Sequence, residues 1–160
     1  MRQLYRTFLA LPLITGIALT ALPSQSIAAP SFAQYRVTQR YNGRPAAVNL
    51  NSPQARRFRT VLTNGARRGP NFAGQYTVVT WGCGTECQQV AIVDAKTGRV
   101  YMTGITASLG VKHQLNSRLL VVNPPEEIAQ LSPEYARRIS TKYYIWQNNT
   151  LRQISSSTNR

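Results

Sequence analysis

Cys83 and Cys87, in "WGCGTEC", are the side chains whose spacing most directly suggests chemistry. The pattern is C-x-x-x-C, longer than the C-x-x-C of thiol–disulfide oxidoreductases, and no βαβ pattern surrounds it. The chain has only these two cysteines, so in an oxidising compartment a single bridge is available to them. One reading is a structural staple across the connection between two strands. The other is a redox centre built on Cys83, Cys87, Glu86 and Trp81. Zinc takes four ligands. Two thiols, one histidine and few acids do not supply them, so no metal is expected, and no cofactor either.

Other catalytic constellations are poorly supplied. His113 is the sole histidine and sits in "GVKHQLNS", which reads as a surface loop. A lone base needs an orienting partner and a nucleophile. The acids are Glu86, Asp94, Glu126, Glu127 and Glu134. Glycoside hydrolysis needs two carboxyls facing one bond, whereas neighbours such as Glu126 and Glu127 diverge on a helix. Asp94 reads as the turn residue that starts a hairpin. Glu86 suits a structural ion pair with an arginine. The chain contains no G-x-S-x-G, S-x-x-K or H-E-x-x-H motif, and no P-loop or dinucleotide fingerprint. These absences favour a protein that is not an enzyme.

Positive charge is the dominant signal. Lys and Arg number 19 against 5 acids, a formal charge of +14. Almost all of it is arginine; the lysines are Lys96, Lys112 and Lys142. The guanidinium fork matches carboxylate and phosphate in a two-point geometry, and so positive a field draws polyanions. Arg56, Arg57, Arg59, Arg67 and Arg68 lie within one helix and its following loop and form the candidate anion-binding set. Asn71, Phe72, Trp81 and Glu86 form a candidate loop surface beside them. Tyr143, Tyr144 and Trp146 stand near Arg137 and Arg138. Interleaved arginine and aromatic side chains suit single-stranded nucleic acid; they equally suit a β core under a solvated basic helix.

The elements that position these residues follow from local pattern. Residues 1–28 have the three parts of a secretory signal: Arg2 and Arg6, an apolar run over residues 9–22, and small residues around Ser26 and Ala28. The run is shorter than the ~20 residues a bilayer-spanning helix needs. Cleavage after Ala28 leaves one mature domain, 29–160, without a transmembrane anchor and with a charge lowered from +14 to +12 by loss of two arginines. Ser52–Gly65 reads as one helix. Ser52 caps it, Pro53 opens it, Gly65 follows its end, and Ala55, Phe58, Val61 and Leu62 share a face. Strands follow at 75–81, 88–94, 99–103, 117–123 and as a hairpin over 141–155 turning at Asn148-Asn149. Residues 117–123 are apolar on both faces and should be central. Residues 124–140 should hold one or two short helical turns in a long connection. The expected fold is α+β and mainly β: an antiparallel meander sheet of about five or six strands with one N-terminal helix packed on it.

The segments N-F-A-G and W-G-C-G-x-x-C, with "NSRLLVV" and "YYIWQNNTL", resemble a family of small uncharacterised secreted bacterial proteins over roughly residues 66–154. The resemblance implies a bacterial source and a periplasmic or secreted location, and it assigns no catalytic residue. The favoured function is a non-enzymatic envelope protein with a basic binding surface for an anionic polymer or the envelope surface. The alternatives are a thiol–disulfide enzyme centred on Cys83 and Cys87, and an inhibitory or protein-binding module using that loop. Mass spectrometry of the exported protein should give a mature N-terminus at Ala29 or within a few residues of it. Retention of Met1 on membrane-extracted protein contradicts that reading.

Overall fold

Val90–Val93 and Leu119–Val122 contain no polar residue, and a strand that is apolar at every position must be covered on both faces. The architecture is built around that requirement. The computed structural model describes residues 28–154, so the signal segment expected over residues 1–28 lies outside the described residues apart from Ala28. A 3-10 helix at Phe32–Tyr35 precedes α1 (Pro53–Arg57) and α2 (Arg59–Ala66). Then come β1 (Tyr76–Gly84), β2 (Cys87–Asp94), β3 (Val100–Ala107), β4 (Val111–His113) and β5 (Leu119–Val122). After α3 (Pro125–Ile128) and α4 (Pro133–Ala136), β6 (Lys142–Gln147) and β7 (Thr150–Ile154) complete the order.

The fold is α+β and mainly β, but the expected single meander is two antiparallel sheets. One has the order β1-β2-β3 and the other β4-β5-β6-β7. Packing explains the division. Val90 and Ile92 of the first sheet share a buried cluster with Leu120, Val122 and Trp146 of the second. Ala91 and Val93 face the other way and pack with Ala55, Leu62 and Ala66 of the helices. Leu119, Val121 and Tyr143 take the outer side of the second sheet, under Phe32, Tyr35 and Ile154. A single flat sheet would leave one of these faces to water.

Ser52 caps α1 as its sequence position implies, its Oγ accepting from the Ala55 N–H at 3.0 Å. The expected single helix over 52–65, however, breaks at Phe58, whose φ and ψ of −104° and 20° separate α1 from α2. Ala55 and Leu62 still bury, with Phe58 and Val61 partly covered beside them. Gly65 does not follow the helix end; it lies inside α2. A Cβ there would stand 2.7 Å from both Cγ atoms of Val79 on β1. The glycine is required by close approach of helix to sheet. The helical turns α3 and α4 do occupy the 124–140 connection. The last hairpin turns on Asn148 and Asn149, at φ 51° and 58°, the left-handed pair a tight two-residue hairpin requires.

Buried polar groups tie the layers together. Asn123 Oδ1 accepts from the N–H groups of Ser108 and Leu109, and its Nδ2 donates to the Ser140 carbonyl. Ser117, fully buried, donates from Oγ to the Phe32 carbonyl and accepts from the Leu119 N–H.

Gly65→Ala distinguishes a packed glycine from a helix-ending one. Helix propensity alone would stabilise the variant by about 1 kcal/mol. The clash with the stiff, buried Val79 should reverse the sign and destabilise it by about 1–3 kcal/mol in urea unfolding.

Candidate functional site

The β1–β2 hairpin carries the cysteines. Gly82 pairs with Gln88 and Gly84 with Cys87, so Cys83 is the extra residue of a bulge. The bulge brings it to Cys87, and the two form a disulfide with Cα atoms 5.1 Å apart. Thr85 and Glu86 make the turn, with Glu86 at φ 54°. Among the described residues, Glu86 does not pair with an arginine. The Tyr135 hydroxyl of α4 donates to its Oε2, and this bond to the carboxylate pushes the Tyr135 phenol up from its ordinary value. The hairpin tip is thereby joined to the 124–140 connection, a contact across 49 positions that no local pattern signals.

The proposed loop surface dissolves into structure. Phe72 is fully buried, part of the core between the sheets, because residues 71–72 fold back on β1 as an added bridge. Asn71 acts as a strand neighbour for the edge of β1: its Oδ1 accepts from the Val78 N–H at 2.7 Å and its Nδ2 donates to the Val78 carbonyl at 3.3 Å. Trp81 is half-buried on β1 with its ring 4.7 Å from that of Phe58. Its Nε1 is the buried side-chain donor without a partner among the described residues. Of the four, Glu86 alone is exposed.

His113 is not in a loop. It lies in β4, half-buried, with its ring edge-on to Phe72. A carbonyl can only accept, so Nδ1 carries the proton and donates to the Asn71 carbonyl at 3.1 Å. Burial pushes the imidazole below its ordinary value, against a smaller opposing effect of that bond. The aromatic set near the C-terminus is also absorbed. Tyr143 and Trp146 are buried, and Trp146 packs edge-on against Tyr76 and Tyr101 with centroids 5.1 and 5.2 Å away.

The arginines remain outside. Arg56, Arg57, Arg59, Arg67 and Arg68 are all exposed, and Arg57, Arg67 and Arg68 border three different grooves beside α1 and α2. Arg56 donates to the carbonyls of Leu50 and Asn51, which fastens the lead-in to α1. Arg57 lines a groove of about 360 Å³ between α1 and β3. Arg67 faces Arg44 across a groove of about 640 Å³ between α2 and residues 44–48. Arg68 borders a third, of about 440 Å³, beside Asn71. No carboxylate lines any of the three.

The acids lie elsewhere. Glu126 and Glu127 are in α3, Glu134 is in α4, and Glu86 meets α4 through Tyr135. Asp94 is buried as the hairpin turn residue, accepting from the Lys96 N–H, the Thr97 hydroxyl and Gln75. The ion pairs among the described residues are Lys112–Glu126 and Arg138–Glu134, both exposed. Sequence reasoning missed Arg44, Gln54, Gln89 and Thr106 as groove residues; each is unremarkable in its own segment. No helix among the described residues is long and apolar enough to cross a membrane. Comparison with family models, curated proteins and solved structures finds no match to this chain.

The bridge closes a loop with a sequence separation of 4, for which chain entropy gives at most about 2 kcal/mol. Replacing both cysteines with Ala should lower the unfolding free energy by about 1–2 kcal/mol and leave the fold intact. The isolated protein should show no free thiol when denatured, and its reduction potential should lie below about −250 mV, toward structural bridges. Disulfide-exchange activity at a potential near that of strong periplasmic oxidants supports the redox reading instead.

Proposed function

We propose that this chain is an exported, non-enzymatic protein of the cell envelope that binds an anionic polymer through its basic side. The observation that carries the reading is the segregation of charge. Four of the five carboxylates belong to, or contact, the 124–140 connection, and the fifth is consumed in a turn. The arginines around α1 and α2 therefore stand without a carboxylate to neutralise them. Their field extends outward and concentrates polyanions. Exposed charge adds little to fold stability, so the arginines on this side are better accounted for by a ligand than by the fold. An exported location agrees with the disulfide, since such bridges persist in oxidising compartments, and with the apolar leader read from residues 1–28.

Binding to heparin and to duplex DNA as a function of salt tests the reading. If the five arginines act together on a duplex, the log–log salt slope should be about −4.5. Changing Arg67 and Arg68 to Ala should flatten it by about two units and weaken binding without altering sequence preference. Stability should stay within about 0.5 kcal/mol of the parent. Absence of binding at moderate salt, or a slope that survives the double substitution, counts against a site on this side.

A further inference from the structure

We propose that the groove between α1 and β3 is a subsite for the carboxylated sugar of an acidic polysaccharide. This rests on the anionic-polymer reading above and names the class of polymer. The groove exists because β3 bulges. Ala91 pairs with Met102 and Gln89 with Thr106, so Thr103, Gly104 and Ile105 stand opposite Val90 alone. Thr103 holds the bulge, its Oγ donating to the Val90 carbonyl and accepting from the Ile105 N–H. Gly104 adopts φ +70° with open space where a Cβ would stand. This glycine, at an exposed point of the bulge, adds no side chain to the groove it lines.

Arg57 is the anchor. Its guanidinium carbon lies 5.7 Å from the centroid of the Phe58 ring, and Phe58 rests in turn on Trp81. A contact of this kind at an exposed site contributes about 0.5–1 kcal/mol, which biases the guanidinium toward the ring and leaves N–H groups for a two-point bond to a carboxylate. Gln54, Gln89 and Thr106 line the same groove and supply two amides and a hydroxyl, each able both to donate and to accept. Sugar hydroxyls require that mixture. Met102 adds an apolar wall for the C–H face of a ring. The volume, about 360 Å³, accommodates a sugar and exceeds what a bare inorganic anion would fill.

The stack also argues against a nucleic-acid base. Base recognition on single strands uses a free aromatic face. Phe58 has Arg57 near one side and Trp81 against it.

The test is calorimetric titration of the full mature protein with trigalacturonate, with the neutral galactose trimer, inorganic phosphate and oligothymidylate as comparisons. Trp81 fluorescence gives a second readout. Trigalacturonate should bind, and the neutral trimer and phosphate should each bind about tenfold more weakly or worse. Arg57→Ala should weaken trigalacturonate by about tenfold or more, and Arg57→Lys, which keeps the charge without the fork, should fall between. Thr106→Val, on the opposite wall, should also weaken it, which keeps the test independent of any folding defect at Arg57. Arg152→Ala, an exposed charge on β7, should change nothing. Equal binding of acidic and neutral trimers, or full affinity in both Arg57→Ala and Thr106→Val, overturns the subsite. Stronger, Arg57-dependent binding of oligothymidylate overturns it in favour of nucleic acid. If heparin still binds when trigalacturonate does not, the subsite alone fails; if neither binds, the anionic-polymer reading fails with it.

Discussion

Burial of β2 on both faces is the constraint from which the other layers follow. Val90 and Ile92 point into the core between the sheets, and Ala91 and Val93 point at the helices. Each face needs a cover. The second sheet supplies one, through Leu120, Val122 and Trp146, and α1 and α2 supply the other, through Ala55, Leu62 and Ala66. The same logic repeats one layer out, where β5 is buried on both faces and Phe32 and Tyr35 of the N-terminal segment complete the cover. Small residues at the helix contact, Ala55, Gly65, Ala66 and Ala91, allow α2 to lie close to the sheet. Large side chains occupy the inter-sheet core, including Phe72, Ile92, Leu120 and Trp146.

Such layering leaves backbone groups buried between elements, and three polar side chains satisfy them. Asn123 joins the β3–β4 connection to the chain entering β6. Ser117 fastens the N-terminal 3-10 helix to the start of β5. Asn71 closes the free edge of β1 by mimicking a paired strand. An open strand edge invites pairing with other chains, so this contact protects the sheet as well as holding Phe72 in place. Of the three, Asn71 reads in the sequence as part of a candidate loop surface. Their hydrogen bonds are spent inside the fold.

The layering also decides where charge can go. With both sheets occupied by apolar contacts, the arginines of α1, α2 and the following loop are left on the outer surface, and Arg57, Arg67 and Arg68 border grooves beside the helices. Glu126, Glu127 and Glu134 lie in the 124–140 connection, and Glu86 is brought to it by the hairpin tip. The disulfide stabilises that tip. Glu86, in the turn beside it, is held by Tyr135.

What the sequence determined by itself was local. The Ser52 cap, the Asp94 turn, the Asn148-Asn149 turn, the helical turns of 124–140 and the pairing of the two cysteines depend on interactions between residues a few positions apart. The mainly β character is also legible, from runs of β-branched and aromatic residues. The tertiary structure decided the rest. The split into two sheets, the break at Phe58, the interior place of Gly65, the burial of Phe72, the contact of His113 with Phe72 and the Tyr135 partner of Glu86 each require a surface contributed by a distant segment. The candidate subsite divides the same way. Arg57 announces itself by charge, whereas Gln89 and Thr106 meet it only through the ladder register and the bulge of β3. Local preference acts through the backbone and nearest neighbours, and it carries no information about which faces will be pressed together when apolar strands seek cover.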